Sequence, residues 1–186
     1  MSWPRPAQQD LMTGEEILGR PDLGPCELID GRVVPLGPTS FDHGRIELRL
    51  GAALLAYAES SGRGEAGGGE VGIYLRRGPD TVRAADALFI SAERYARRGP
   101  SGYLDVAPEL VAEILSPADR WSDVTAKIEE YLAAGVVVVW VVDPALRKVL
   151  AYRSLTDVRQ FSLGDALEDT EVLPGFSLPL AALFLE

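Results

Sequence analysis

Two hydrophobic spacings alternate along this chain. From Ser40 to Ser61, Ile46, Leu50, Ala53, Leu54 and Tyr57 recur every three or four residues, which predicts an amphipathic helix ended by Gly62. Val124, Ile128, Tyr131 and Leu132 repeat that spacing in a helix starting near Ser122 and stopping at Gly135. Between and beyond lie short apolar runs of strand type: "EVGIYL", "TVRAADALFI", "ELVAEILS", "VVVVWVVD" and "KVLAYR". Asp30-Gly31 within "CELIDGRVVPL" predicts a tight hairpin, and Gly78-Pro79-Asp80 a turn. Thr13 and Glu16 have capping-box spacing for a short first helix, and "LAALF" closes the chain as another. "GRGEAG", residues 62–67, has glycine-loop spacing but follows a helix and precedes a strand, the reverse of a dinucleotide site; it is expected to be a flexible connector. An arginine-rich connector follows "TVRAADALFI". The expectation is one mixed α/β domain over residues 1–186, with residues 1–10 flexible.

Two acids break this pattern. Glu113 stands inside the run Val111, Ala112, Ile114, Leu115, so its carboxylate must be paired, protonated or bound to a cation. On the preceding strand, strict alternation puts Asp86 in one row with Val82, Ala84, Leu88 and Ile90, with Arg83 on the other face. Paired interior carboxylates suit a hard divalent ion, Mg²⁺ or Mn²⁺, and the backbone carbonyl of Ile114 could add a third oxygen. A cation is expected beside them. If the chain reverses after Pro117 into a helix, about 7.5 Å of helical rise brings Lys127 level with Glu113. Lys127 is one of two lysines against sixteen arginines.

Composition narrows the classes. One cysteine, Cys26, leaves no internal disulfide and favours a reducing, cytoplasmic setting; no apolar run is long enough to span a bilayer, so no membrane partner is expected. The single His43 excludes multi-histidine zinc centres. There is no Walker A loop, and Ser116 lacks the G-x-S-x-G elbow of a serine hydrolase. The net charge of −10 argues against a nucleic-acid partner. Its distribution softens that: from Ser154 to the end six acids oppose Arg159, while residues 76–98 hold six arginines and three acids, a run that could follow phosphates or be a solvated face.

Taken in order, "CELIDGRVV", "HGRIELRL", "VRAADALFI", "APELVAEILSPADR", "KIEEYLAAGVVVVWVVDP" and "VLAYR" resemble the PD-(D/E)XK restriction-endonuclease-like superfamily, and within it a bacterial Uma-type branch of restriction endonucleases with a domain of unknown function. The resemblance covers roughly residues 10–180. It implies a helix-strand-strand-strand-helix-strand core, here with an added N-terminal hairpin and a C-terminal β extension. It implies catalytic Asp86, Glu113 and Lys127, with Glu27 and His43 bordering the site. This chain departs from the motif twice. Ala85 replaces the usual proline, and Leu115 stands where the motif's lysine would be, its role passing to Lys127 on the next helix.

The implied activity is a metal-dependent DNA endonuclease using Mg²⁺ or Mn²⁺, with Asp86, Glu113 and the Ile114 carbonyl as ligands and Arg76, Arg77 and Arg83 against the phosphate backbone. The competing reading is a non-catalytic binding or oligomeric scaffold of the same fold, with Glu113 neutralised by Lys127 or an arginine. Oligomeric state is left open, a homodimer being one option.

Overall fold

A computed structural model describes residues 11–100 and 102–184; residues 1–10, expected to be flexible, lie outside it. The N-terminal helix α1 (Gly14–Leu18) is held by the Thr13–Glu16 capping box. Strands β1 (Cys26–Ile29) and β2 (Arg32–Pro35) form the hairpin, with Asp30 and Gly31 both at positive φ as a tight turn requires. Then come α2 (Phe41–Ser61), β3 (Gly64–Arg76), β4 (Thr81–Ser91), a short α3 (Ala92–Tyr95), β5 (Leu110–Ile114), α4 (Trp121–Ala133), β6 (Val138–Asp143), β7 (Lys148–Tyr152) and β8 (Val158–Phe161). A two-stranded sheet of β9 (Ala166–Leu167) and β10 (Leu178–Pro179) and a 3₁₀ turn at Leu180–Phe184 complete the described chain.

The eight strands run β2-β1-β4-β5-β6-β7-β8, with β3 paired to β4. Only β5 and β6 are parallel, joined through α4. Helix α2 covers one face, where Ile46, Leu50 and Leu54 meet Phe89, Ala112, Trp140 and the C-terminal residues Phe176, Leu180 and Leu183. Helix α4 covers the other, where Ile128 and Tyr131 meet Leu88, Ile90, Val111 and Val141.

Three expectations need correction. "GRGEAG" is no loop: from Gly64 onward it is strand, paired residue by residue with β4. A Cβ on Gly64 would come within 2.1 Å of the Ile90 carbonyl, so this glycine permits a close strand approach rather than flexibility. The arginine-rich connector contains α3, and its Arg94 is structural, donating to the carbonyls of Ala107, Pro108 and Gly135. Finally, the row Val82, Ala84, Asp86, Leu88, Ile90 does not share one face. Leu88 and Ile90 pack with α4, Val82 packs with Ile17 and Leu28, and the Asp86 carboxylate meets α2. A bulge in β3 opposite Asp86 accompanies the break in alternation.

Candidate active site

Strand β4 has two edges. Strand β3 occupies one along its whole length, while β1 and β5 share the other. Strand β1 pairs only at Val82 and β5 only from Ala87 to Phe89. Residues 83–86 therefore face a notch between two strand ends, where the backbone of β4 has no ladder partner and must find side chains.

Those side chains are charged. Glu27, 5% exposed on β1, accepts from the Ala84 amide at 3.0 Å and from Nη1 of Arg83 at 2.7 Å. Lys127 of α4 donates to the Ala84 carbonyl at 3.1 Å, to Oε2 of Glu113 at 2.7 Å, and lies 3.1 Å from Oε1 of Glu27. Tyr131, one turn on, donates its hydroxyl to Oε1 of Glu113 at 2.7 Å. Nε of Arg83 is held by Glu130 at 2.7 Å.

This lattice sets the proton affinities. Burial works to raise Glu27, but the charges of Lys127 and Arg83 outweigh it and hold the carboxyl below its usual range. Burial works against the Lys127 ammonium too, yet the carboxylates of Glu113 and Glu27 hold its pKa above the ordinary value. Glu113 goes the other way: desolvation, helped by the nearby Asp86 charge, outweighs Lys127 and pushes it to about 7.

Asp86 lies at the end of the notch. Gly69 and Glu70 of β3 together oppose it, and Glu70 has a φ of 63°. A non-glycine residue in that region stores strain of the kind found at functional sites. On the other side the ladder with β5 has just ended, and Oδ2 of Asp86 accepts from the Ile114 amide at 2.6 Å. Its Oδ1 lies 3.3 Å from Nε2 of His43, which α2 presents on its inner face. His43 is 7% exposed, and neither ring nitrogen has a well-aligned hydrogen-bond partner. Glu47, one turn along α2, lies 4.0 Å from the same nitrogen. One donor atom each from His43, Glu47 and Asp86 fall within 4.8 Å of one another, close enough to share a metal ion. The Asp86 carboxylate beside it outweighs burial and raises His43. Desolvation first, then the Asp86 charge, raise Glu47 and Glu70 as well. For these two glutamates burial is the larger cause, only partly offset by His43 and Lys127 respectively.

The fold thus gathers Glu27, His43, Asp86, Glu113 and Lys127 around four residues of β4. It treats the three arginines differently. Arg83 is partly buried, its side chain 11% exposed, and committed to Glu27 and Glu130. Arg76 is half-exposed and paired with Asp30, and Arg77 stacks on Tyr74 while pairing with Glu15. Arg98 lies over the Tyr95 ring. The basic run is therefore divided among local partners rather than gathered on one face. Sequence reasoning passed over Glu47, Glu70 and Tyr131. Two of them carried a signal: Glu47 and Tyr131 stand four residues after His43 and Lys127, on the same helical faces.

A cleft of about 450 Å³ opens on the α4 side, lined by Glu27, Arg83, Glu113, Lys127, Asp119 and Asp123, with Val34 and Leu36 from the hairpin. No helix of the described residues is long and apolar enough to cross a membrane.

Similarity to known proteins bears on family and fold. A family profile described as "Putative restriction endonuclease" matches residues 15–181. Among solved structures, "a putative nuclease belonging to DUF820" from Anabaena variabilis ATCC 29413 superposes with a TM-score of 0.74 at 21% identity, covering 93% of this chain and 97% of that one. No curated protein matches the chain.

Proposed function

Since this chain belongs to the Uma2 family, we propose that it is a metal-dependent endonuclease hydrolysing DNA phosphodiester bonds at the notch in β4. The observation that carries this reading is the buried His43, without a well-aligned hydrogen bond, facing Asp86 and Glu47 beside the Lys127–Glu113 pair.

The donor set fits a divalent cation. Asp86, with His43 and Glu47 from α2, supplies donor atoms within 4.8 Å of one another, while Glu113, whose two oxygens are held by Lys127 and Tyr131, and the Ile114 carbonyl are the further ligands that the family resemblance implies. Oxygen donors suit Mg²⁺, and an imidazole among them tilts preference toward Mn²⁺. A bound cation would lower the pKa of its water and neutralise charge on the scissile phosphate. The protein's own groups do the rest. Lys127, fixed by Glu27 and the Ala84 carbonyl, presents an ammonium to orient the nucleophile or meet the developing negative charge. Tyr131 fixes the rotamer of Glu113. Arg83 holds Glu27 and α4 together from beneath, while half-exposed Arg76 and Arg77 remain the candidates to meet a phosphate backbone.

The test is nicking of supercoiled plasmid with Mg²⁺ or Mn²⁺ by wild type, Asp86→Ala and Glu113→Ala. Nicking by wild type alone, faster with Mn²⁺, is expected. Equal nicking by all three means a contaminant. No nicking with either ion overturns the reading in favour of a non-catalytic scaffold, which the self-neutralised Lys127–Glu113 pair would suit.

A further inference from the structure

The outward face of α2 carries a second pattern that the site does not use. Phe41, Leu48 and Leu55 recur every seven residues and are 83%, 74% and 46% exposed. Gly44, Gly51 and Ala52 fill the positions between them, while His43, Ile46, Leu50 and Leu54 face inward. A single row of large apolar residues, one per heptad and flanked by small ones, is narrower than a full coiled-coil seam but lets a second helix approach closely, and leaving it in water is unfavourable.

We infer that this face is the interface of a homodimer in which two copies of α2 pack antiparallel about a two-fold axis at Ala52. Charge selects both occupant and direction. Arg45 and Glu59 lie seven residues to either side of Ala52, close to the seam. An axis there sets each Arg45 opposite Glu59 of the other copy, whereas parallel pairing would set Arg45 on Arg45 and Glu59 on Glu59. Arg45, its side chain 25% exposed, uses Nη2 on Asp42 at 3.0 Å while its Nε is buried without a hydrogen-bond partner, so the outer part of its guanidinium is what a second copy would meet; Glu59 is exposed and makes no ion pair among the described residues. The same axis drops Leu55 of one copy beside Gly51 and Leu48 of the other, large against small. It also lets the backbones approach at Gly51 and Ala52. Both sites then lie on the faces of the paired helices turned away from the seam, since His43 is buried against the body of its own copy.

Sedimentation equilibrium of the full chain tests this. Wild type should run at twice its 20.0 kDa chain mass. Leu48→Asp should run as a monomer with an unchanged far-UV spectrum, because Leu48 touches water and not the core. Arg45→Glu and Glu59→Arg should each weaken the dimer about tenfold, since the symmetry breaks two ion pairs at once. The double variant should restore wild-type association. A wild type that stays monomeric across the micromolar range, a Leu48→Asp that stays dimeric, or charge reversals without mutual rescue would each overturn the proposal. Plasmid nicking is a separate readout, so failure here leaves the catalytic reading standing.

Discussion

On the α4 side of β4 every interior carboxylate has a cation: Glu27 has Arg83 and Lys127, Glu113 has Lys127, and Glu130 has Arg83. Around Asp86, Glu47 and Glu70 join it with no lysine or arginine ion pair among the described residues; the His43 imidazole lies beside them, and Lys127 offsets the Glu70 shift only in part. The same residue types thus serve two ends. A buried carboxylate lattice that supplies its own counterions is a rigid support. One that lacks them gains most from an external cation, and the proton affinities of His43, Glu47 and Glu70 are raised there, although desolvation raises Glu113 too, to about 7, despite its pairing with Lys127. On the proposed reading, the contrast puts the stronger pull on a metal ion around Asp86 and the positioning of Lys127 and Glu113 in the paired lattice.

The hardest blow to that division is Asp86→Ala. It should reduce nicking on the order of 1,000-fold and abolish the rise in melting temperature that Mn²⁺ gives wild type, because a ligand stabilises only a state that binds it. Next in size is Lys127→Met, which strands Glu113 and leaves Glu27 with Arg83 alone. A stability loss of about 3 kcal/mol in urea unfolding and loss of nicking are expected, with the Mn²⁺ thermal shift retained. Were that shift to vanish as well, the two regions would be one.

Glu27→Gln probes the support through pH. The folded Glu27 carboxyl titrates below its ordinary 4.5, so its stabilisation is fully present above that value and disappears as pH falls through the lowered one. The variant should lose about 2 kcal/mol at neutral pH and show a shallower fall in stability on acidification below 4.5. His43→Ala should weaken Mn²⁺ about tenfold by calorimetry and Mg²⁺ much less, since the harder ion gains little from nitrogen. Smallest is Tyr131→Phe, a loss of about 1 kcal/mol with the metal response intact.

Much of the framework was legible because it rests on local periodicity. Ile46, Leu50, Leu54 and Tyr57 announced α2; Val111, Ala112 and Ile114 announced a buried strand; Asp30-Gly31 announced the hairpin. Glu113 drew notice because a charge in an apolar run conflicts with burial. Glycine hid β3: its first half, four glycines among seven residues, read as a linker, and only pairing with β4 made it a strand. Glu47 went unnoticed because a glutamate on an amphipathic helix is ordinary until the residue opposite is known.

The sequence by itself determined which segments are helix and which are strand along most of the core, and which acids could not be left alone in an interior. The energies that decide those questions act between residues a few positions apart. Tertiary structure alone decided that β1 and β5 share one edge of β4 and leave a notch, and that Glu27, fifty-seven residues from Ala84, fills it. It alone turned Asp86 toward α2. Those outcomes depend on strand order and register, which bring distant charges within about 3 Å, where Coulomb energy falls steeply with distance, and no local spacing encodes which distant strands will meet.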